Sequence, residues 1–437
     1  MTSWPRLLLF SLSLTALTLV AGCTTQPVNS NAPVNAPVTQ ATPIGSPVPS
    51  PSASASPAQQ ASLQVTLPLL NALLADDGFV REAKTKVNLS DEQIASLKQT
   101  SQAEIDRLRA SNAEDTETDG ADAPERTAEQ LRSMLGADKA TQLISVANDY
   151  WAKGPSDQTT PGGEQFQMLP GPNAVPTDTR IVINIPAFRM DLFKDGSLEK
   201  TYKIGIGYPE FPLPLGLRKA QTVIFNPAWT PPDSPWVAKM RNAVPGERIE
   251  PGSKDNPLGP IKIPIGLPSL IHGAKSPAKI GKFASHGCVG LTTPQMKDFT
   301  MLLLQAANNQ VSQDQIAQYL ADKTKTKSVK LDQVIPVELR YETIVLEDGK
   351  LHIYKDVYAK HTNTEDNLRK VLEAQGGRLE DLTPEQRDQA IAALKSQPKG
   401  EVVVDVPQLA QKGYPVAVNL DDGKGKPQIT QKKKKAA

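Results

Sequence analysis

The sequence predicts a multidomain chain: a mainly β domain at residues 179–307, an N-terminal α-helical module at 61–153 and an α+β C-terminal extension at 308–411. Three observations predict it. The hydrophobic period is helical up to about Trp151 and becomes two at Thr179, where Arg180-Ile181-Val182-Ile183-Asn184-Ile185 reads as a strand. Helical signals then stay rare until Pro294, which argues against a doubly wound sheet. At 437 residues the chain exceeds one ordinary domain, and Pro/Gly-rich breaks separate its blocks.

Taken in order, residues 1–22 have the layout of a secretory signal peptide: Arg6, then an apolar run from Leu7 to Val20, then small residues. Val20-Ala21-Gly22-Cys23 resembles the lipobox of bacterial lipoproteins, which implies lipid modification of Cys23 and a membrane attachment through that lipid. By the same resemblance, the absence of Asp after Cys23 favours the outer membrane of a Gram-negative envelope, facing the periplasm. Residues 23–60 carry eight prolines and no charge; such a segment buries no core and reads as an extended tether.

In the helical module, Ser90 with Gln93 reads as a capping box, and Ile94, Leu97, Ile105 and Leu108 keep one apolar face. Ala110 to Ala123 reads as an acidic loop, after which Pro124 opens another helix. The module shows no chemical motif and reads as a spacer or packing domain, with a wall- or partner-binding role as the rival reading. Residues 154–178, with five Pro and four Gly, form a linker.

Within the β domain, Asp195-Gly196 is a hairpin turn signal. Gly205-Ile206-Gly207 lacks the third glycine and the following helix of a nucleotide-binding loop. Helices are expected at Pro294–Ala307, Val311–Asp322, Glu365–Ala374 and Pro384–Leu394, the last capped by Thr383. Strands are expected at Ile335–Tyr341 and across the Asp348-Gly349 turn. Residues 412–437 read as a flexible basic tail ending in Lys432 to Lys435. With 48 Lys plus Arg against 47 Asp plus Glu, no global field would draw nucleic acid.

The chemistry gathers between Ile271 and Leu291, IHGAKSPAKIGKFASHGCVGL, which holds His272, His286 and Cys288. The chain has only two cysteines. If Cys23 carries lipid, Cys288 has no disulfide partner and is a reactive group or an accident. A neighbouring imidazole lowers a thiol's pKa and holds its proton. In an extended segment His286 and Cys288 would share a face; His272 is within reach by a loop or a strand pairing. Spacing does not choose between the two as base. The N–H groups of Gly287 and Cys288 are candidates for holding an oxyanion. A zinc site would lack an obvious fourth ligand and a redox thiol would lack a resolving cysteine; neither is expected, nor is a metal or cofactor. His352 and His361 read as structural or solvated.

HG, eleven residues, then SHGCV closely resembles the active-site signature of the L,D-transpeptidase catalytic domain family (YkuD type). The resemblance extends upstream through IVINIPAFRMDLF, KTYKIGIG, NPAWTPP, Val244-Pro245-Gly246 and NPLG, and ends near Leu304; PVELRYETIVLEDGKLHIYKDVY is similar to the tail of longer members. It implies a β-sandwich domain that cross-links peptidoglycan without a cofactor. Cys288 would be the acylated nucleophile and His272 the general base, with Ser285, His286 and Gly273 shaping the pocket and the Gly287 and Cys288 amides forming the oxyanion hole. A tetrapeptide stem would be the donor, losing D-Ala, and a second stem's amine the acceptor, giving a 3→3 link. An L,D-carboxypeptidase, protein attachment to the wall and a non-catalytic wall-binding lipoprotein are the rival readings. The family usually places Arg where this chain has Gly290, which leaves donor preference open; Lys282 and Arg241 are the substitutes the sequence offers. FPLPLG at 211–216 is a looser version of the family's TPxG spelling.

Overall fold

The computed structural model describes residues 65–111, 122–153, 166–266, 268–396, 398–410 and 413–425. The expected signal peptide, Cys23, the tether, the acidic loop at 112–121, the first half of the 154–178 linker and Lys432 to Lys435 lie outside the described residues.

Among the described residues, five helices form the N-terminal module: α1 (Leu67–Leu74), α2 (Asp77–Val87), α3 (Asp91–Ser111), α4 (Ala123–Leu135) and α5 (Ala137–Lys153). Their starts are chemically marked. Thr66 caps α1 and Asp76 caps α2 through their side-chain oxygens. Before α3, the Ser90 and Gln93 side chains each accept the other residue's backbone N–H, the reciprocal capping box expected there. Leu70, Leu73, Phe79, Leu97, Leu131, Leu143 and Trp151 fill the module's core.

The central region is mainly β, and one mixed eight-stranded sheet dominates it. Its strands are β1 (Arg180–Asn184), β2 (Arg189–Lys194), β3 (Ser197–Lys203), β5 (Gly216–Phe225), β6 (Ile261–Pro264), β7 (Leu270–His272), β9 (Val289–Gly290) and β10 (Lys327–Arg340). The spatial order is β3-β2-β1-β10-β5-β6-β7-β9. A two-stranded parallel ladder joins β4 (Ile206–Gly207) to β8 (Phe283–Ser285), and a Gly205–Gly290 bridge ties that ladder to β9, so the sheet curls. The Asp195-Gly196 turn between β2 and β3 has positive φ at both residues, 49° and 79°, the geometry that a two-residue hairpin prefers.

Alternation decides the faces. Ile181, Ile183, Ile261, Ile263, Ile271, Val289, Val337 and Leu339 point into the main core. Met296, Phe299 and Leu303 of α7 (Thr293–Ala306) pack on the same core, beside α8 (Gln313–Ala321). A reciprocal Thr292–Gln295 capping box starts α7.

Two arrangements differ from the sequence expectation. The expected β domain stops at 307, yet β10 lies between β1 and β5 near the middle of the sheet. Its outer half is exposed and patterned by a register shift between Lys330 and Ile335, which hides its period. The expected flexible tail begins at 412, yet residues 413–425 run back over the β domain. Tyr414 packs on Phe193, Thr201 N–H donates to Val418 O at 2.9 Å and Lys203 N–H to Asp421 O at 2.9 Å. These residues satisfy the open edge of β3, where unpaired backbone groups would otherwise need water.

The C-terminal extension is α+β: β11 (Ile344–Glu347), β12 (Lys350–Ile353) and β13 (Val402–Asp405) in one antiparallel sheet, packed by α9 (Glu365–Ala374) and α10 (Pro384–Ser396). Asp348-Gly349 turns β11 into β12, again with positive φ at both positions. His352 Nδ1 lies 2.6 Å from the Glu401 carboxylate, an exposed hydrogen-bonded pair rather than a site.

Both flanking regions converge on the loop at 208–213. From the helical side, Thr66 Oγ1 donates to Glu210 O at 2.8 Å and the Arg126 guanidinium meets the Glu210 carboxylate at 2.7 Å. From the other side, Tyr358 Oη donates to Gly207 O at 2.8 Å and accepts from Leu213 N–H at 3.2 Å. Further along, Arg109 of α3 reaches Asp233 at 3.0 Å, just before the short helix α6 (Pro235–Ala238).

Two outcomes follow for measurement. A chain cut after residue 307 leaves β1 and β5 without the strand between them; it is expected to aggregate and lose native β-sheet circular dichroism, while a chain cut after residue 425 keeps both. Burial pushes the Glu210 carboxyl up to about 7 against the pull of Arg126. Native Glu210 therefore retains a proton that the unfolded chain releases, so its contribution to stability falls as pH rises from about 4.5 to about 7. Glu210→Gln should flatten that part of the urea-denaturation profile by at most about 3 kcal/mol; equal pH slopes in parent and variant would count against this.

Candidate active site

Three strands carry the site. β6 runs antiparallel to β7 with Lys262 opposite His272, and β7 runs parallel to β9 with Ile271 opposite Val289 and His272 opposite Gly290. Because Ile263, Ile271 and Val289 face the core, Lys262 and His272 face the opposite side. Cys288, two residues before Gly290, is set toward that same side at the entrance to β9. The chain needs the sixteen residues from 273 to 288 to return β9 alongside β7 in parallel, which is the length such a crossover requires.

His272 is 3% exposed, and its Nδ1 lies 2.9 Å from Gly273 O. A carbonyl can only accept, so Nδ1 carries the proton in the neutral ring and Nε2 is left as the basic nitrogen. Burial pushes the imidazole pKa down to about 3, helped by the Lys275 and Lys262 charges and opposed by the carbonyls of Gly273 and Leu258. At neutral pH the ring is an uncharged proton acceptor.

Cys288 is half-buried and a free thiol. Burial pushes its pKa up, while the Leu270 N–H and the Lys275 and Lys262 charges pull it down. The pair therefore rests as thiol and neutral imidazole, not as an ion pair. Ser285 secures the turn: its hydroxyl donates to Cys288 O and accepts from Cys288 N–H at 3.1 Å. That contact engages one of the two amides expected to face an oxyanion. Gly287 N–H is the other, presented by a glycine at φ 96°, a conformation that L side chains rarely adopt.

The same positive φ, with bends at residues 286–288, interrupts the extended backbone between β8 and β9 from which a shared face for His286 and Cys288 was expected. His286 joins an aromatic wall. Its ring stacks on Trp236 at 4.7 Å and 9°, and Trp236 stacks on Trp229. Phe211 meets it edge-on at 4.9 Å, and Tyr208 lies 5.5 Å away. The His272–His286–Cys288 metal set weighed in the sequence is thus divided between the β7 face and this wall. Among the described residues no group of three or more His, Cys, Asp or Glu is placed to share a metal ion.

The Gly205-Ile206-Gly207 run has a steric reason. A Cβ on Gly205 would lie 2.5 Å from Ala284 Cβ, and one on Gly207 would lie 2.2 Å from Phe211 O. Both glycines let β4 pass close to β8 and to the 208–213 loop. Gly273 faces Met296, where a Cβ would approach to 3.3 Å.

At Gly290 the space of the missing side chain is taken by Lys275: an added Cβ would lie 2.7 Å from its Cγ and 2.9 Å from its Cε. Lys282 and Arg241, the substitutes considered from sequence, are exposed. Sequence reasoning missed Lys275, Lys262, Phe211 and Trp236. Lys275 lies inside the signature stretch as one of its three lysines, with nothing local to single it out; Lys262 needed the β6–β7 register.

Residues 178–311 match the YkuD family model, the L,D-transpeptidase catalytic domain. The probable L,D-transpeptidase YbiS of Escherichia coli (strain K12) is 30% identical over 162 residues, covering 36% of this chain and 53% of that protein; YbiS from E. coli O6:H1 matches equally. The chain thus spans about half the length of the curated relatives it matches. Among solved structures, the catalytic domain of the E. faecium L,D-transpeptidase is 18% identical over 38% of this chain and 98% of that one, at TM-score 0.24. An L,D-transpeptidase from Mycobacterium smegmatis is 16% identical over 37% of this chain and 58% of that one, at TM-score 0.22. Over residues 178–311, this chain is thus similar to the L,D-transpeptidase catalytic domain of the YkuD family.

Proposed function

We propose that the protein is a peptidoglycan L,D-transpeptidase that forms 3→3 cross-links through a Cys288 acyl-enzyme with release of D-Ala, held to the envelope by lipid on Cys23. The observation that supports it most is the β7–β9 register, which sets the Cys288 thiol and the neutral His272 imidazole on one face.

In this scheme Nε2 of His272 takes the thiol proton as Sγ attacks the carbonyl of the diamino acid in a tetrapeptide stem. The tetrahedral oxyanion forms beside Gly287 N–H. His272 then returns its proton to the departing amine, D-Ala leaves and a thioester remains. The acceptor amine of a second stem loses a proton to His272 as it attacks the thioester. The new amide forms and Cys288 recovers its proton. One amide is exchanged for another through the thioester, so the reaction needs no ATP. Water as acceptor would give the tripeptide instead, the carboxypeptidase outcome, and a protein amine would give wall attachment.

Incubating the full-length chain with disaccharide-tetrapeptide and reading intact-protein and product masses tests the proposal. A Cys288 adduct with loss of D-Ala, absent in Cys288→Ala, is expected, followed by dimer; tripeptide alone would make it a carboxypeptidase. Folded protein with a free thiol that forms no adduct would favour a non-catalytic wall-binding lipoprotein.

The pH dependence has a definite sign. With its folded pKa lowered to about 3, His272 stays a competent base throughout pH 5–7, so the acylation kcat/KM should show no inflection near 6.5. A step there would mean that another group is the base. His272→Gln should reduce acylation by about 100- to 10,000-fold.

A further inference from the structure

We propose that Lys262 and Lys275 form a subsite for a carboxylate that the donor peptide carries next to the bond Cys288 attacks. The proposal rests on the acyl-transfer reading above and names how the same site would select its donor.

Strand register supports it first. Lys262, His272 and Gly290 occupy one row across β6, β7 and β9 on the face toward which Cys288 is set. At the Gly290 end, the Lys275 stem lies over the glycine in the space where a side chain would project. Lys275 N–H donates to Leu291 O at 3.0 Å, which fixes the backbone from which that stem extends. A lysine therefore stands on each side of His272, one from the neighbouring strand and one over the other neighbour.

The charge pattern supports it independently. The side-chain charges that act on both Cys288 and His272 are those of Lys275 and Lys262, both positive. The reacting pair itself rests uncharged. A substrate presenting a carboxylate to this face gains attraction from two ammonium groups in a half-buried setting, where water screens less than at the open surface. The same two charges favour the thiolate as Sγ sheds its proton. Lys275 can lie over the β9 row only because residue 290 is glycine, so the glycine and the lysine act as a matched pair.

The carboxylate has two possible chemical sources: the C-terminus of the leaving amino acid, or a side-chain carboxylate on the residue whose carbonyl is attacked. Donor amides distinguish them. Equilibrium binding to the full-length Cys288→Ala chain is measured for the free-acid tetrapeptide, its C-terminal amide and its side-chain amide. One of the amides is expected to bind about 10- to 100-fold more weakly, in line with loss of a charge-assisted contact. Lys275→Met should weaken the free acid to the level of that amide while leaving the amide's own affinity unchanged, and Lys262→Met should act in the same direction. Lys275→Arg should retain the discrimination. Lys275→Ser combined with Gly290→Arg should restore it, by delivering the cation from the vacated position.

Equal binding of all three donors, or equal losses on acid and amide in Lys275→Met with an unchanged thermal midpoint, would overturn the subsite. Adduct formation on the parent protein is read in parallel. Discrimination without any Cys288 adduct would sink the acyl-transfer reading and leave the carboxylate subsite standing; an adduct without discrimination would do the reverse.

Discussion

The parallel pairing of β7 with β9 is the constraint on which the site depends. Cys288 and His272 are sixteen residues apart and belong to segments that have no local reason to meet. Hydrogen-bonded register makes them neighbours, and burial of Ile271 and Val289 on the core side decides that His272 and Cys288 take the other side. A slip of one residue would send the imidazole into the core and bring Ile271 to the cleft. The apolar core below is therefore also the device that aims the chemistry.

Around that register the structure builds one wall from distant parts of the chain. The 208–213 loop brings Phe211 and Tyr208 to His286, and the helical module and the C-terminal extension each hold this loop by hydrogen bonds. Asp233, near Trp236, receives a further contact from α3. Regions with no chemical motif of their own thus bear on the aromatic wall around His286. Their part in the molecule is mechanical: they restrict loops that are otherwise short of regular structure.

Electrostatics complements the packing. Burial alone favours neutral forms of both Cys288 and His272. The lysines bias the thiol toward ionisation while biasing the imidazole against holding the proton. The Gly273 carbonyl meanwhile holds Nδ1 of the His272 ring and fixes its orientation.

Much of the fold was legible in the sequence because its signals are local. Capping boxes at Ser90, Thr292 and Thr383, the Asp-Gly turns and the period-two run at 180–185 depend on residues a few positions apart. The crowded 271–291 stretch likewise announced a thiol with an imidazole. Tertiary structure alone decided the rest: that β10 enters the sheet from beyond residue 307, that residues 413–425 cover β3, that His286 stacks on Trp236, and that Lys275 fills the space over Gly290. Each of these depends on pairing between segments distant in sequence, where register and shape, not composition, determine which side chains meet.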